Sequence, residues 1–382
     1  MGYSSQLFTS AAIDSASLRS HHLISISSCQ ILNGPASLTK SRPPSLIIAR
    51  SGSRRCVPSS GANGFYGLHA PLEPKSEAGL FLSSVFQNQR DEFNEAVVDE
   101  LRILAEDRHD ALARSVVCSS SDEFPLHRRI LQLKEAECRQ AVEDVMYLLV
   151  FSKFSDIHVP LVPRLSRCIC HGRLEILPSK DWELESIHNE EVLEMINQHI
   201  FAVIGFKVDS SVTKGWATTE VMKLRLSKIY AESIVYGYYL KSASSRHYLE
   251  ICLSIGDEIE QRMLADLPVS GFRGLLNLIL RPTRMNFTVS GKKTNVDLDS
   301  YTLRSYVIGF DVESFQRCAK IRSKEAASVM DKQCNALFCG NDEVIVTSFA
   351  SMKRLILEAV AFGSFLWDTE QYVNSLFRLQ ED

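Results

Sequence analysis

From residue 76 onward, apolar residues recur at spacings of three and four. The clearest stripe lies in 131–154, where Leu133, Ala136, Val142, Val145, Leu148 and Leu149 share one face and Lys134, Glu135, Arg139 and Glu143 share another. That period predicts a long amphipathic helix. It also predicts helices over 77–88, 91–114, 188–204, 219–241, 245–264, 301–308, 312–338 and 348–379. Asp311, Ser348 and Thr219 stand where N-caps are wanted, and Gly205 and Gly340 stand where a helix ends. Strand signals are sparse, so the predicted fold class is all-α.

The helices also repeat. Glu232–Leu240 (ESIVYGYYL) aligns without a gap with Glu358–Leu366 (EAVAFGSFL) at an offset of 126, and the pairs Lys228/Arg354 and Ile229/Leu355 extend the match upstream. Glu191–Ile204 aligns with Glu325–Phe338 at an offset of 134. Phe81, Val85, Phe93 and Ala96 fall on Leu303, Val307, Phe315 and Cys318 at an offset of 222. The order of blocks is kept, which predicts an internal duplication: two related helical units, 78–264 with a helical insertion near 116–188, and 300–382. A glycine inside a helix costs about 1 kcal/mol relative to alanine. Gly237 and Gly363, at equivalent positions, are therefore expected where two helix backbones approach closely, with Tyr236 and Phe362 beside them. Core packing is the expected role of this block, and a ligand slot between the repeats is the alternative.

Composition changes the picture at the N-terminus. Residues 1–60 hold sixteen serines, six basic residues and one acid. A tail so poor in acids, with no continuous apolar run, predicts an organellar transit peptide, and the late first cation at Arg19 favours a plastid. Residues 61–77 are expected as a linker. Removing the tail's 6 − 1 = +5 from 42 basic and 46 acidic residues leaves 36 and 45, so the body carries −9. That balance argues against a specific nucleic-acid partner. The ten cysteines lack framework spacing and are expected as reduced thiols. No run reaches the roughly eighteen apolar residues of a membrane span, so a soluble protein is expected.

Glu232–Leu240, Leu303-Arg-Ser-Tyr-Val307, Ile321-Arg-Ser-Lys-Glu325 and Leu357–Trp367 resemble the plant plastid family of UV-B-induced chloroplast proteins, built on a repeated domain of unknown function shared with cyanobacteria. The resemblance covers about 75–382. It implies plastid residence and a link to light stress, and it implies no catalytic residues. Copy two carries Ser364 where copy one has Tyr238.

Chemistry-bearing motifs are few. Cys168-Ile-Cys170-His171 could bring two thiolates and an imidazole to one soft ion, but no second ligand pair follows. Arg167 and Arg173 would lower a neighbouring thiol's pKa and favour redox sensitivity. Ser290-Gly-Lys-Lys-Thr294 lacks the first glycine of a phosphate loop. No catalytic residue and no cofactor is predicted. The segment 265–299 joins the units, and within it Arg273, Arg281, Arg284, Lys292 and Lys293 flank Leu275–Leu280 without an acid between Gly271 and Asn295. Such a basic, apolar linker could lie weakly on an anionic membrane surface or pack against the acidic body.

The expectation is a non-enzymatic chloroplast protein of the stroma, with optional peripheral attachment to thylakoids, acting through protein or membrane-surface contacts in the light and UV-B stress response. The alternative is a small-molecule binder or enzyme using a cleft between the repeats. Fused to a fluorescent reporter, residues 1–60 should carry it into plastids and be processed near 45–60. A cytosolic or mitochondrial signal would remove the address.

Overall fold

The three-and-four spacing of apolar residues persists through the structure as helices. The computed structural model describes residues 70–117, 124–204, 218–264, 302–340 and 342–380. The first stretch forms α1 (Glu77–Asn88) and, after a 3₁₀ turn at Arg90–Glu92, α2 (Phe93–Val117). Next come α3 (Phe124–Asp156), the short α4 (Leu165–Cys168), strands β1 (Ile169–Cys170) and β2 (Arg173–Leu174), α5 (Asp181–Glu185) and α6 (Glu190–Ile204). Strand β3 (Thr218–Met222) runs straight into α7 (Lys223–Leu264). The last stretch holds α8 (Leu303–Ile308), α9 (Val312–Ala319), α10 (Lys324–Leu337), β4 (Val344–Ser348) and α11 (Phe349–Leu376). All of these lie within one compact unit, Val57–Asp382. The expected transit peptide (1–60), the basic linker (265–299) with its five cations, Gly205 and Ser290–Thr294 lie outside the described residues.

The fold is mostly helical, but all-α needs correction. Among the described residues there is one small sheet, ordered β1-β2-β4-β3. Its long pair is antiparallel, with Thr218 opposite Ser348, Glu220 opposite Val346 and Met222 opposite Val344. β2 joins β4 in parallel, Arg173 opposite Val346. The β-branched run Val344-Ile-Val-Thr-Ser348 buries Ile345 and Thr347 on one face, a period-two pattern too short to stand out beside a long helix. Thr219, expected as an N-cap, is a strand residue. Ser348 does cap α11, its Oγ accepting from Ser351 N at 3.2 Å. The stretches 219–241 and 245–264 are one helix, because Ser242, Ala243 and Ser244 offer nothing that would break it. By contrast 312–338 is two helices: Ser323 caps α10 with its Oγ on Ala326 N, and the chain turns at Lys320–Arg322.

At the centre lies α11. From Arg354 to Leu366 every residue is buried, as expected only of a helix packed on all sides. It lies against α3, α5, α6 and α7, while α7 is also covered by α8, α9 and α10. Phe154 of α3 meets Phe365 edge to face at 5.1 Å and Phe362 at 6.4 Å. The α7–α11 crossing is closer than side chains permit. A Cβ on Gly237 would stand 2.0 Å from Val360 O, and one on Gly363 would stand 1.9 Å from Ile234 O. Each glycine therefore gives its place to the other helix's backbone, and Ser364 Oγ donates across the seam to Gly237 O at 3.3 Å.

Either Gly237→Ala or Gly363→Ala should then force the helices apart and cost about 3 kcal/mol or more. Gly309→Ala, whose Cβ would meet nothing nearer than 3.4 Å, should leave stability within about 0.5 kcal/mol. Thermal unfolding of the three variants checks this, and a tolerated alanine at Gly237 would contradict the geometry.

Candidate functional site

Two turns of α11 carry a charged pair into the core. Arg354 and Glu358 are 1% and 0% exposed, and Arg354 Nη1 stands 2.9 Å from Glu358 Oε2. A buried pair of this kind needs further partners to offset desolvation. The chain between α3 and α4 supplies them: Arg354 Nη2 donates to Pro160 O at 2.9 Å, and Val162 N donates to Glu358 Oε2 at 2.9 Å. From the other side, Tyr230 Oη donates to Glu358 Oε1 at 3.4 Å and accepts from Gln333 Nε2 at 3.2 Å. Burial pushes the Glu358 carboxyl above its ordinary value, and Arg354 opposes that shift. Burial likewise pushes the Tyr230 hydroxyl up. The arrangement clamps the segment Val159–Pro163 to α11, with both Glu358 oxygens engaged.

A second polar pair has the outline of a nucleophile and its base. His199 Nε2 lies 3.0 Å from Ser233 Oγ, and its ring stacks on Tyr236 at 4.2 Å. Burial presses the His199 pKa down to about 4, so the ring is neutral at pH 7. Ser233 is fully buried and donates to Ile229 O at 2.8 Å. With its proton committed to a carbonyl, the hydroxyl can only accept from His199, which makes this a helix-packing contact and not an activated nucleophile.

The expected site residues fall in separate places. Gly237 and Gly363 sit in the α7–α11 seam. Phe362 is buried against Phe154, whereas Tyr236 turns to α6 and donates to Met195 O at 3.1 Å. Cys168, Cys170 and His171 are drawn into a hairpin, with His171 (φ 54°) and Gly172 (φ 74°) forming the two-residue turn between β1 and β2. Cys170 is exposed and Cys168 half-buried. Among the described residues no group of three or more His, Cys, Asp or Glu could hold a metal ion. The expected lowering of a thiol pKa by the arginines is corrected at Cys168, where burial first and the Glu358 and Cys170 charges after it push the thiol up. Arg173 is engaged by Glu175 at 2.9 Å. The cysteines among the described residues are free thiols.

Sequence reasoning missed the surface that stays open. Along the start of α7, Met222, Leu224, Arg225, Ser227, Lys228 and Ala231 line a groove of about 520 Å³. Met222 is 52% and Leu224 68% exposed. Lys228, which lines it, pairs one turn along the helix with Glu232 at 3.8 Å, both exposed. The signal was in the offset of 126, at which Lys228/Glu232 aligns with Arg354/Glu358, and only the folded chain shows that one pair is covered and the other bare. No helix among the described residues is long and apolar enough to cross a membrane.

The family model for proteins of unknown function (DUF760) matches residues 125–253, from α3 to most of α7. The chain is similar to a chloroplastic UV-B-induced protein of Arabidopsis thaliana, 32% identical over 97% of this chain and 91% of the relative. No solved structure matches.

Two half-buried histidines shape the pH response. His188, like His199, is pushed down to about 4, by burial and then by Lys241. A histidine held neutral contributes stability that is complete above its unfolded pKa of 6.5 and drains as pH falls toward the folded value. Each should withdraw about 2 kcal/mol between pH 7.5 and pH 5. Urea denaturation at both pH values should show the loss, and His199→Gln should shrink it by about half. An unchanged pH dependence in that variant would show that His199 is not held neutral.

Proposed function

The chain belongs to the family of UV-B-induced chloroplastic proteins, and from that premise we propose that it is a non-enzymatic chloroplast protein of the UV-B stress response that binds partners through the exposed face of α7. The contrast between interior and surface carries the reading. The side chains able to do chemistry (Arg354, Glu358, Ser233, His199) are turned inward and bonded to one another, while the open groove is apolar at Met222, Leu224 and Ala231. The seam where an enzyme of the alternative type would keep its cleft is closed by backbone contact at Gly237 and Gly363. Residence in the stroma fits the acidic body. Salt-labile attachment to an anionic thylakoid surface through Arg273, Arg281, Arg284, Lys292 and Lys293 rests on their charge alone.

The same reading takes the fold as a duplicated unit. One unit runs α1-α2-α6-β3-α7, interrupted by the insertion, and the other runs α8-α9-α10-β4-α11. Adding 126 to the ends of β3 (218 and 222) gives those of β4 (344 and 348), and Glu220 and Val346, also 126 apart, are opposed at the ladder's centre. Adding 126 to Gly237 gives Gly363, and each meets the residue three before the other. The partners cross over as well: α6 packs on α11 and α10 on α7. Glu191 and Glu325, aligned in sequence, each accept a distant backbone N–H, from Leu303 at 3.1 Å and from Gln380 at 3.2 Å. A two-fold relation between intertwined units would account for the first three of these observations.

Affinity capture from UV-B-treated chloroplast extract tests the binding reading. The wild-type chain should retain a set of proteins that a Met222→Asp/Leu224→Asp variant, folded to the same melting temperature, loses. Capture unaffected by the double change, or no specific capture at all, would overturn it.

A further inference from the structure

The α7 groove has a counterpart in the same chain, and that counterpart is filled. With the fold taken as a duplicated unit, adding 126 to the groove residues Met222, Leu224, Arg225, Ser227, Lys228 and Ala231 gives Ser348, Ala350, Ser351, Lys353, Arg354 and Leu357. Three of these six are bonded to the insertion, and a fourth, Leu357, is buried. Ser351 Oγ accepts from Ile176 N at 3.1 Å, and Lys353 pairs with Glu185 at 2.8 Å and Asp181 at 3.4 Å. Arg354 donates to Pro160 O, and Leu357 is 1% exposed. Unit one supplies the insertion, and it covers unit two. Among the described residues nothing covers the matching face of α7.

The filled site shows what such a face recognises. Its occupant is Val159-Pro160-Leu161-Val162-Pro163, kept extended by its prolines and burying Val159, Leu161 and Val162 to 2–3% exposure. The carbonyl of Pro160 and the N–H of Val162, two residues apart, are read by a cation and a carboxylate four residues apart on the helix. Lys228 and Glu232 repeat that cation and carboxylate at the same spacing, in the same order, on an exposed surface. An ammonium can donate to a carbonyl as a guanidinium does, with less directional control. Where α11 has Ser348 and Ala350, α7 presents Met222 and Leu224, a larger apolar floor.

We propose that the α7 groove binds an extended, proline-containing apolar segment of a partner protein, its backbone C=O and the N–H two residues on being taken by Lys228 and Glu232. This rests on the partner-binding function proposed for α7 and deepens it by naming the chemistry recognised. A second copy of the chain cannot offer its own segment, because Val159, Leu161 and Val162 are already buried in it.

The probe is a dye-labelled peptide of the sequence Asp156–Leu165 (DIHVPLVPRL), titrated by fluorescence anisotropy into the full chain. Saturable binding is expected, weakened at least about tenfold by Leu224→Asp, by Glu232→Ala, and by methylating the peptide nitrogen of the valine at the 162 position. The altered side chains are exposed, so each variant should melt with the wild type. No saturable binding, equal binding by the variants, or equal binding of the N-methyl peptide would overturn the proposal. So would a concentration-dependent dimer in sedimentation that Leu224→Asp abolishes, since a second copy would then own the face. Should the peptide fail while chloroplast capture still depends on Met222 and Leu224, only the recognition chemistry falls. Should both fail, the binding reading falls with it.

Discussion

Everything in this fold is arranged around one contact between two backbones. Where α7 and α11 cross, Gly237 and Gly363 leave room for Val360 O and Ile234 O, and no other residue type could stand at either point. A crossing made by backbone has little freedom to slide, because side-chain repacking cannot compensate for a shift. It therefore sets the register of the elements attached to the two helices. The strands that lead into them meet as a five-residue ladder, and the buried stretch of α11 is placed where α3 and the insertion can close over it.

The polar interior obeys a single rule, that long helices lend carboxylates to the backbones of shorter segments. Asp144 Oδ2 accepts from Lys75 N at 2.8 Å and Ser76 N at 2.7 Å at the start of α1. Glu370 Oε1 accepts from Ser323 N at 2.7 Å at the start of α10, and its Oε2 accepts from Tyr238 Oη at 2.5 Å. Glu358 does the same for Val162. Apart from the Tyr238 hydroxyl, each contact satisfies a donor that a helix start or an extended segment would otherwise bury unpaired, and a carboxylate suits the positive end of a helix. The buried acids Asp144, Glu358 and Glu370 are thus used in holding elements together.

That rule explains how much of the molecule is legible in its sequence. The helices were legible because their apolar stripes are long, and the glycine crossing was legible because the same nonapeptide pattern occurs twice. The strands were not. β3 and β4 are five residues each and abut helices without a turn, so Thr219 looked like a cap, and only pairing between them makes them strands. Cys168-Ile-Cys170-His171 resembled a ligand cluster until His171 and Gly172 proved to be a hairpin turn. The pair Lys228/Glu232 and its likeness Arg354/Glu358 were visible as an alignment, yet burial is decided by a third segment far away in sequence.

That third segment makes the surroundings of the two helix faces differ. In two identical halves related by a two-fold, both helix faces would be covered or both bare, and a charged pair would have one environment. The insertion's stretch from Pro160 to Glu185 bonds to the face of α11, while Met222 and Leu224 at the start of α7 stay exposed. Pro160 O and Val162 N offset part of the cost of removing Arg354 and Glu358 from water. The equivalent pair on α7 keeps its water, and nothing among the described residues competes for its hydrogen bonds with backbone. The crossing that builds the core therefore leaves one of the two helix faces covered and the other bare. Substitutions there cost the fold little, so Met222 and Leu224, large apolar side chains in water, call for an explanation outside the fold's own stability.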